Sequence, residues 1–346
     1  MESLERKVKI LKGKLKEENK ANVYSLPGSS KGILAKYFNR PCLYIFENEK
    51  LAQIFSEEIN LFLEDKYIVF LDPEKDYKKV EALNEILEAP FEKLVVATTP
   101  KALTLKYPNV LECSYLELKK GKSYDFEKIK KSLVDLGYKY VKEDPEEGEF
   151  SILGDIISVV LPEGDKVLLS FFDNELESIK VNLEDKDKIK IFPNFFKLLK
   201  QKEDISLFDL LKDPLIIVVN PLKILKQLPV LNYHIGIYEQ KIENAIEFPV
   251  KVAPTISNFS LSQLENYKDY KIIIRYLNEK TKKEYKEFFS KNVIFSEGLS
   301  LGSFIINDLK ILFLCEGVYK DILKEKKTIS DLEIGDYVVH RDFGIG

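Results

Sequence analysis

Short apolar runs alternate with amphipathic segments along the first part of the chain, a pattern typical of strands followed by helices. Residues 3–18 predict a charged helix with one apolar stripe, formed by Leu4, Val8, Leu11 and Leu15. Strands are predicted at 22–26, 42–46, 67–71 and 94–98, with helices at 32–39 and 49–63. This alternation predicts a parallel α/β layer that is covered on both faces.

The pattern changes after Tyr115. A turn at 118–122 leads to a helix at 125–136, which Gly137 ends. Short strands follow at 150–153, 156–161, 167–172 and 176–181, and a charged loop at 185–188 and a run at 189–192 close the segment. One helix beside several short strands predicts a small α+β insert.

The α/β alternation returns from about residue 193, with strands at 215–219 and 235–238. A further α/β unit is predicted from 258, with strands at 270–276, 292–295 and 311–315 and a charged helix at 280–290. After a charged linker at 325–327, residues 337–340 predict the first strand of a small barrel. One strand leaves its backbone groups unpaired, so we expect the chain to be part of a longer protein.

The composition is that of a globular protein with both charge signs interspersed. Of the 346 residues, 45% are hydrophobic and 32% charged, and the net charge is −4. A nucleic-acid binder dominated by phosphate contacts would be strongly basic, so this class is disfavoured. No apolar run approaches the ~20 residues that span a bilayer, and the N-terminus lacks the apolar core of a secretory signal. We therefore expect a cytoplasmic protein with no membrane partner.

The cysteines and histidines do not predict a metal centre. Cys42, Cys113 and Cys315 are widely separated and lie beside or within apolar runs, as buried thiols do. His234 and His340 are too few for a His-rich metal site. Because no Ser/His/Asp or Cys/His constellation is legible either, we predict no metal and no catalytic residue.

A candidate phosphate loop, formed by Gly28, Ser29, Ser30 and Lys31, follows the first predicted strand. A working loop needs several glycines before the lysine and a hydroxyl directly after it to hold Mg²⁺. Only one loop glycine precedes Lys31, and Gly32 stands at the hydroxyl position. We interpret the loop as degenerate, with Ser29 or Ser30 as a helix N-cap, and predict no cofactor for this chain.

The alternative is an active nucleoside triphosphatase of the UvrB or helicase class. It requires a metal-holding acid at the end of an apolar strand, and Asp72 and Glu316 each occupy such a position. In that reading Lys31 and Asp72 carry the reaction. Strands that end in an acid are also common turn chemistry, so the position alone does not decide.

A series of motifs in the insert and near the C-terminus occurs in an order that resembles one protein family. The motifs are Lys119-Lys120-Gly121, Leu136-Gly137-Tyr138, Gly148-Glu149-Phe150, Gly154-Asp155-Ile156-Ile157, the run from Phe171 to Ile179, Leu314-Cys315-Glu316 and the run from Gly335 to Gly346. In this order they resemble the N-terminal half of the bacterial transcription-repair-coupling factors. That half is similar to the damage-recognition protein UvrB with its ATP site lost.

The resemblance implies a role for each part of the chain. The insert would dock UvrA, and the barrel that begins near residue 330 would bind the β subunit of RNA polymerase. The ATP-driven motor, with its ATP, Mg²⁺ and double-stranded DNA, would lie beyond Gly346. The chain would then be the non-catalytic recruitment half of a translocase that displaces stalled polymerase and recruits UvrA for nucleotide excision repair.

The resemblance also implies a UvrA-type surface on the insert. Its candidate residues are Glu149, Phe150, Phe171, Phe172, Asp173 and Glu175. The arginines that the family carries on these strands are replaced by Leu153 and Leu168, which offer no bidentate fork to a carboxylate. Phe171 and Phe172 point to opposite faces of one strand, so only one of them can belong to the core.

The predicted fold is a multidomain α/β protein in five parts. These are a degenerate P-loop-like, UvrB-like α/β domain (1–117), an α+β insert of the UvrA-docking type (118–192), the second part of the UvrB-like domain (193–257), a small α/β domain (258–325) and the incomplete start of a polymerase-interacting domain with one SH3-like barrel strand (326–346).

Overall fold

The computed structural model describes residues 3–108, 115–162, 164–194, 203–259, 263, 265–288, 293–319, 339–340 and 344–345. In these residues, strands alternate with helices and assemble into several sheets, the first of which is parallel. The predicted α/β class is confirmed.

The first part of the chain contributes the elements that begin the parallel sheet. Its helices are α1 (Leu4–Glu18), α2 (Glu49–Ile59), α3 (Asp76–Glu88) and α4 (Pro100–Thr104). Its strands are β1 (Lys20–Tyr24), β2 (Cys42–Ile45), β3 (Tyr67–Phe70), β4 (Leu94–Thr98), β5 (Tyr107–Pro108) and β6 (Leu116–Lys119).

The insert contributes one helix and a run of strands. These are α5 (Phe126–Asp135), β7 (Lys139–Tyr140), β8 (Glu149–Leu153), β9 (Ile156–Val160), β10 (Lys166–Phe172), β11 (Glu175–Val181), β12 (Glu184–Lys186) and β13 (Lys188–Ile191).

The rest of the chain completes the parallel sheet and builds another sheet. Its helices are α6 (Leu207–Leu210), α7 (Pro221–Ile224) and α8 (Glu279–Phe288). Its strands are β14 (Glu203–Ile205), β15 (Leu215–Val219), β16 (His234–Tyr238), β17 (Ile246–Glu247), β18 (Lys251–Val252), β19 (Lys271–Tyr276), β20 (Val293–Glu297), β21 (Phe304–Ile306), β22 (Ile311–Cys315), β23 (Val339–His340) and β24 (Gly344–Ile345).

The helix α1 shows how the apolar pattern becomes packing. Its stripe of Leu4, Val8, Leu11 and Leu15 is buried, as the spacing predicts. Ser3 accepts a hydrogen bond from the Arg6 N–H at the start, and Asn19 ends the helix with a left-handed φ of 57°.

The parallel sheet has seven strands in the order β17-β1-β16-β15-β2-β4-β3. Strands from before and after the insert are interleaved, because β15 and β16 lie between β1 and β2. Every residue of β2, β4 and β15 is buried, which is why these strands read as continuous apolar runs. The insert therefore interrupts the chain of a single sheet.

The insert forms a six-stranded sheet in the order β12-β11-β10-β9-β8-β7. Apart from β7, which pairs in parallel with β8, its neighbours are antiparallel. The chain enters and leaves through the antiparallel pair of β6 and β13. This pair holds the insert at a fixed point beside the parallel sheet.

A five-stranded sheet in the order β18-β21-β22-β19-β20 packs against the parallel sheet. The Phe304 and Phe313 rings stack at 5.0 Å, and both meet the Phe62 ring, which follows α2. The strand β18 lies before residue 258, so this sheet begins earlier in the chain than the small α/β domain of the sequence division. The two sheets share one core.

Several local expectations need correction. The helix predicted at 32–39 is a 3₁₀ helix from Gly28 to Tyr37, and Pro27 occupies its N-cap position, so Ser29 and Ser30 do not cap it. The loop predicted at 185–188 is mostly strand, because β12 and β13 take up its residues. The helix α3 was not predicted.

The C-terminal predictions can be compared only in part. His340 and Val339 pair with Gly344 and Ile345 in a small antiparallel ladder. The linker at 325–327 and the rest of the predicted barrel strand lie outside the described residues. Cys42 and Cys315 are buried thiols, as predicted, whereas Cys113 lies outside the described residues.

Candidate functional site

The insert sheet buries one of its faces against α5. The buried side chains include Phe150, Ile157, Leu169 and Phe171. The ring of Phe126, on α5, meets that of Phe171 edge to face at a centroid distance of 4.7 Å. Because side chains alternate along a strand, the residues between these core positions lie on the opposite side.

That opposite side carries a connected set of exposed and half-exposed residues. Leu153 faces Ile156 across the β8–β9 turn, Ile156 faces Ser170, and Ser170 faces Ser178. On β10, the residues two positions before and after Ser170 lie on the same side. We call this set the open face: Leu153, Ile156, Leu168, Ser170, Phe172 and Ser178.

Two turns and a bulge give the open face its shape. Gly154 turns β8 into β9 with a φ of 57°, and Asp173 turns β10 into β11 with a φ of 54°. The ladder of β10 and β11 shifts register after Ser170, where Glu177 is left over on β11. A bulge of this kind re-aims side chains, and here it keeps Phe172 on the exposed side and Leu176 in the core.

The structure separates the candidate aromatic residues. Phe172 is 67% exposed, whereas Phe171 is 5% exposed, so the strand does divide them between surface and core. Phe150 is completely buried. The assignment of Phe150 and Phe171 to a contact surface is corrected, because their side chains lie inside the insert core and have no area to offer.

Except for Glu149, the remaining candidates lie on or beside the open face. Leu153 is 70% exposed and Leu168 is half-buried, and Asp173 and Glu175 are exposed at the β10–β11 turn. Glu149 sits apart at the start of β8, where its carboxylate accepts a hydrogen bond from Lys139 at 2.9 Å. That bond and the Lys139 charge lower the pKa of Glu149.

Sequence reasoning missed five residues of this site, including Ser170 and Ser178 of the open face. Ile156, which is 42% exposed, belongs to the open face, and Asp155 and Glu177 lie exposed at its turns. The two-residue turn Gly154-Asp155 was the available signal for Ile156, because it makes the flanking residues a cross-strand pair. The bulge at Glu177 had no such signal.

The degenerate phosphate loop is closed by its own side chains. Ser30 Oγ donates to the Pro27 carbonyl at 2.6 Å, and Lys31 Nζ donates to the Gly28 carbonyl. Ser29 and Ser30 are completely buried. A Cβ atom on Gly28 would meet the Gly302 carbonyl oxygen at 2.5 Å, so a segment of the five-stranded unit lies directly on the loop.

A carboxylate lies behind this loop. Glu58, at the end of α2, is completely buried and accepts hydrogen bonds from Ser29 Oγ and from the Leu301 N–H, the latter at 3.3 Å. Burial raises the pKa of Glu58 to about 7, although these bonds, one from Ser300 and the Arg275 charge act in the opposite direction.

Lys31 and Asp72 do not share a site. The loop of Lys31 follows β1, whereas Asp72 follows β3 at the far edge of the sheet, five strand positions away. At about 4.8 Å a strand, β1 and β3 are roughly 24 Å apart. The Asp72 carboxylate instead accepts the Glu74 N–H at 2.9 Å, a local turn bond. Glu316 accepts the Leu277 N–H at 2.7 Å.

A crevice of about 410 Å³ lies beside the loop, at the carboxyl ends of β1, β15 and β16. Its walls are mainly apolar and aromatic, and its charged lining residues are Lys31 and Glu239. Glu239 accepts a hydrogen bond from Asn220 at 3.0 Å. The crevice lies at the carboxyl ends of parallel strands, which is the usual position of a nucleotide in such sheets.

Metal sites and membrane-spanning helices can also be considered among the described residues. Among them, no three His, Cys, Asp or Glu side chains cluster so that they could hold a metal ion. In the same residues, no helix combines the length and apolar character that crossing a membrane requires.

The fold and the site define a class: a multi-sheet α/β protein whose insert exposes a sheet face and whose phosphate loop is closed. Comparison with known proteins gives this class its relatives. Residues 116–195, which include the whole insert sheet, match the family model described as the UvrB interaction domain.

Two curated proteins match a larger part of the chain. The UvrABC system protein B of Francisella tularensis subsp. tularensis is 24% identical over 209 residues, which is 50% of this chain and 31% of that protein. The transcription-repair-coupling factor of Bacillus subtilis is 26% identical over 187 residues, 48% of this chain and 16% of that protein. The resemblance to the UvrB-like module of a transcription-repair-coupling factor is confirmed, and each alignment spans less than a third of its relative.

Proposed function

We propose that this chain is the non-catalytic recruitment part of a transcription-repair-coupling factor and that it docks UvrA through the open face. The observation that carries the proposal is the open face itself. Leu153 and Phe172 are more than half exposed on a paired sheet, inside the segment that matches the UvrB interaction domain. Grouped exposed apolar side chains mark interaction surfaces.

The closed phosphate loop supports the non-catalytic part of the proposal. The Lys31 ammonium is bonded to its own loop, the Ser29 hydroxyl is bonded to the buried Glu58, and Asp72 follows a different strand. An active triphosphatase would need to rebuild all three features. Binding of the RNA polymerase β subunit, and an ATP- and Mg²⁺-driven motor on double-stranded DNA, are proposed for other parts of the complete protein.

Calorimetry with purified UvrA from the same organism tests the docking. We expect the wild-type chain to bind and Phe172→Ala to weaken binding on the order of 10-fold or more, as loss of a central aromatic contact does. Leu183→Ser is the matched control, because Leu183 is an exposed apolar residue at the opposite turn of the same sheet. No binding by the wild-type chain would contradict the proposal.

A further inference from the structure

The open face has an apolar centre at one end of the insert sheet. Leu153 and Phe172 are 70% and 67% exposed, and Ile156 is paired with both Leu153 and Ser170. Phe172 lies two residues beyond Ser170 on the same side, a diagonal neighbour position that an aromatic side chain can reach across. The three side chains therefore form one patch at the β8–β9 and β10–β11 turns.

The same two turns carry only acidic charges. The segments 153–156 and 172–177 contain Asp155, Asp173, Glu175 and Glu177 and no basic residue. All four carboxylates are exposed. None of them forms an ion pair with another residue that the structure describes, so their charge is available to a partner.

The other end of the face carries both charge signs. Lys180 is opposite Leu168 in the register, and Lys166 lies two residues before Leu168 on β10. Both lysines are exposed. Charge of a single sign is therefore confined to the two turns themselves: at the other end Lys180 is opposite Asp185, and Lys122 lies beside Leu176 on the segment that pairs with β11.

Resting on the function proposed above, we infer that the partner surface has an apolar centre bordered by basic side chains at the end that meets these turns. The patch of Leu153, Ile156 and Phe172 would be buried against the apolar centre. Asp155, Asp173, Glu175 and Glu177 would face the basic border. A partner surface rich in carboxylates would be repelled at this end, because like charges at an interface disfavour binding.

The chemistry makes Leu153 a specificity residue. An arginine at this position would pair with carboxylates of an acidic partner surface, whereas the inferred partner has no carboxylate to offer here. Leu153→Arg consequently separates the two kinds of partner: it weakens binding to a basic, apolar surface and strengthens binding to an acidic one.

The experiment is calorimetry of the full chain with UvrA from the same organism. We expect Leu153→Arg to weaken binding at least 10-fold. The double variant Glu175→Lys and Glu177→Lys should weaken it at least 10-fold in about 0.1 M NaCl and less in 0.5 M NaCl, because salt screens exposed charges. Asp185→Lys, on β12 at the edge of the sheet, is the matched charge control and should change binding less than 2-fold.

The outcomes separate this inference from the function on which it rests. If the wild-type chain does not bind UvrA, the proposed function fails and this inference fails with it. If the wild-type chain binds but Leu153→Arg or the lysine double variant binds equally well or more tightly, the inference alone is overturned. All substituted positions are exposed, so circular dichroism should match the wild type.

Discussion

At the residue scale, two neighbouring residues of one strand differ completely in burial. Phe171 packs against Phe126 in the core, and Phe172 reaches solvent. The period of two along a strand predicts that they differ, but only the sheet's packing on α5 decides which one is inside. Phe150 shows the limit of motif reasoning, because a residue that matches a family motif can still lie entirely in the core.

The environment of Glu58 has no signal in the sequence. This residue stands in an ordinary amphipathic helix, yet α2 and the five-stranded unit enclose it. The charge of Arg275 lowers its pKa, and Arg275, which is 4% exposed, also pairs with Glu57. A carboxyl buried among these groups links folding to pH.

Glu58→Gln tests this linkage. The folded-state pKa of Glu58, about 7, lies above its ordinary value of 4.5, so the folded protein holds a proton that the unfolded chain releases between these values. The unfolding free energy of the wild type should therefore fall as pH rises from about 5 to 7, by on the order of 2 kcal/mol from this group. The variant should lack this part of the slope in denaturant titrations at pH 5, 6, 7 and 8.

The comparison of Glu58→Gln with the wild type also controls for a second carboxyl with a raised pKa. Burial and the charge of Glu81 raise the pKa of Glu85 to about 7 as well. Glu85 contributes the same slope to both proteins and cancels in the difference. A difference between variant and wild type that stays constant from pH 5 to 8 would contradict the assignment to Glu58.

At the element scale, the apolar pattern was sufficient to predict the bounds of an element that is regular and fully buried. The predicted bounds of β4, β15 and β22 agree with the structure, because each is a continuous apolar run between polar turns. The 3₁₀ helix at Gly28–Tyr37 was predicted as an ordinary helix over 32–39. All residues from Ser29 to Ala35 are buried, so no helical period marks the bounds or the type of this helix. The charged strand β12 has no apolar period to reveal it.

The docking of α1 gives a prediction at this scale. Leu11→Ala should lower the unfolding free energy by about 2–5 kcal/mol, because Leu11 is completely buried and its loss leaves a cavity. Ile10→Ala is the neighbouring control: Ile10 is 40% exposed, and its loss should change the free energy by about 0.5 kcal/mol or less. Urea titrations of the two variants measure the difference, and equal effects would mean that α1 does not pack on its stripe.

At the scale of the whole molecule, the phosphate loop is closed by a part of the chain far away in sequence. Gly302 lies against Gly28, and Leu301 donates to Glu58, so the five-stranded unit covers the position where phosphates would bind. The loop sequence predicted a degenerate loop, with one glycine before Lys31 and Gly32 at the hydroxyl position. The covering segment and the distance between Lys31 and Asp72 depend on how the sheets pack.

Nucleotide binding can be tested on the intact chain. A ligand at 100 times its Kd adds about 2.7 kcal/mol of stability, which a melting curve detects readily. We expect about 1 mM ATP with Mg²⁺ to leave the melting temperature unchanged. A rise that disappears in Lys31→Ala would contradict the closed loop and favour the active triphosphatase.

The sequence by itself determined the alternating pattern and the change to short strands in the insert, because these depend on residues close together in the chain. Only the tertiary structure decided the strand order, the burial of Glu58 and the membership of the open face. The physical reason is that burial and charge neighbours arise between segments far apart in sequence, where local periodicity carries no information.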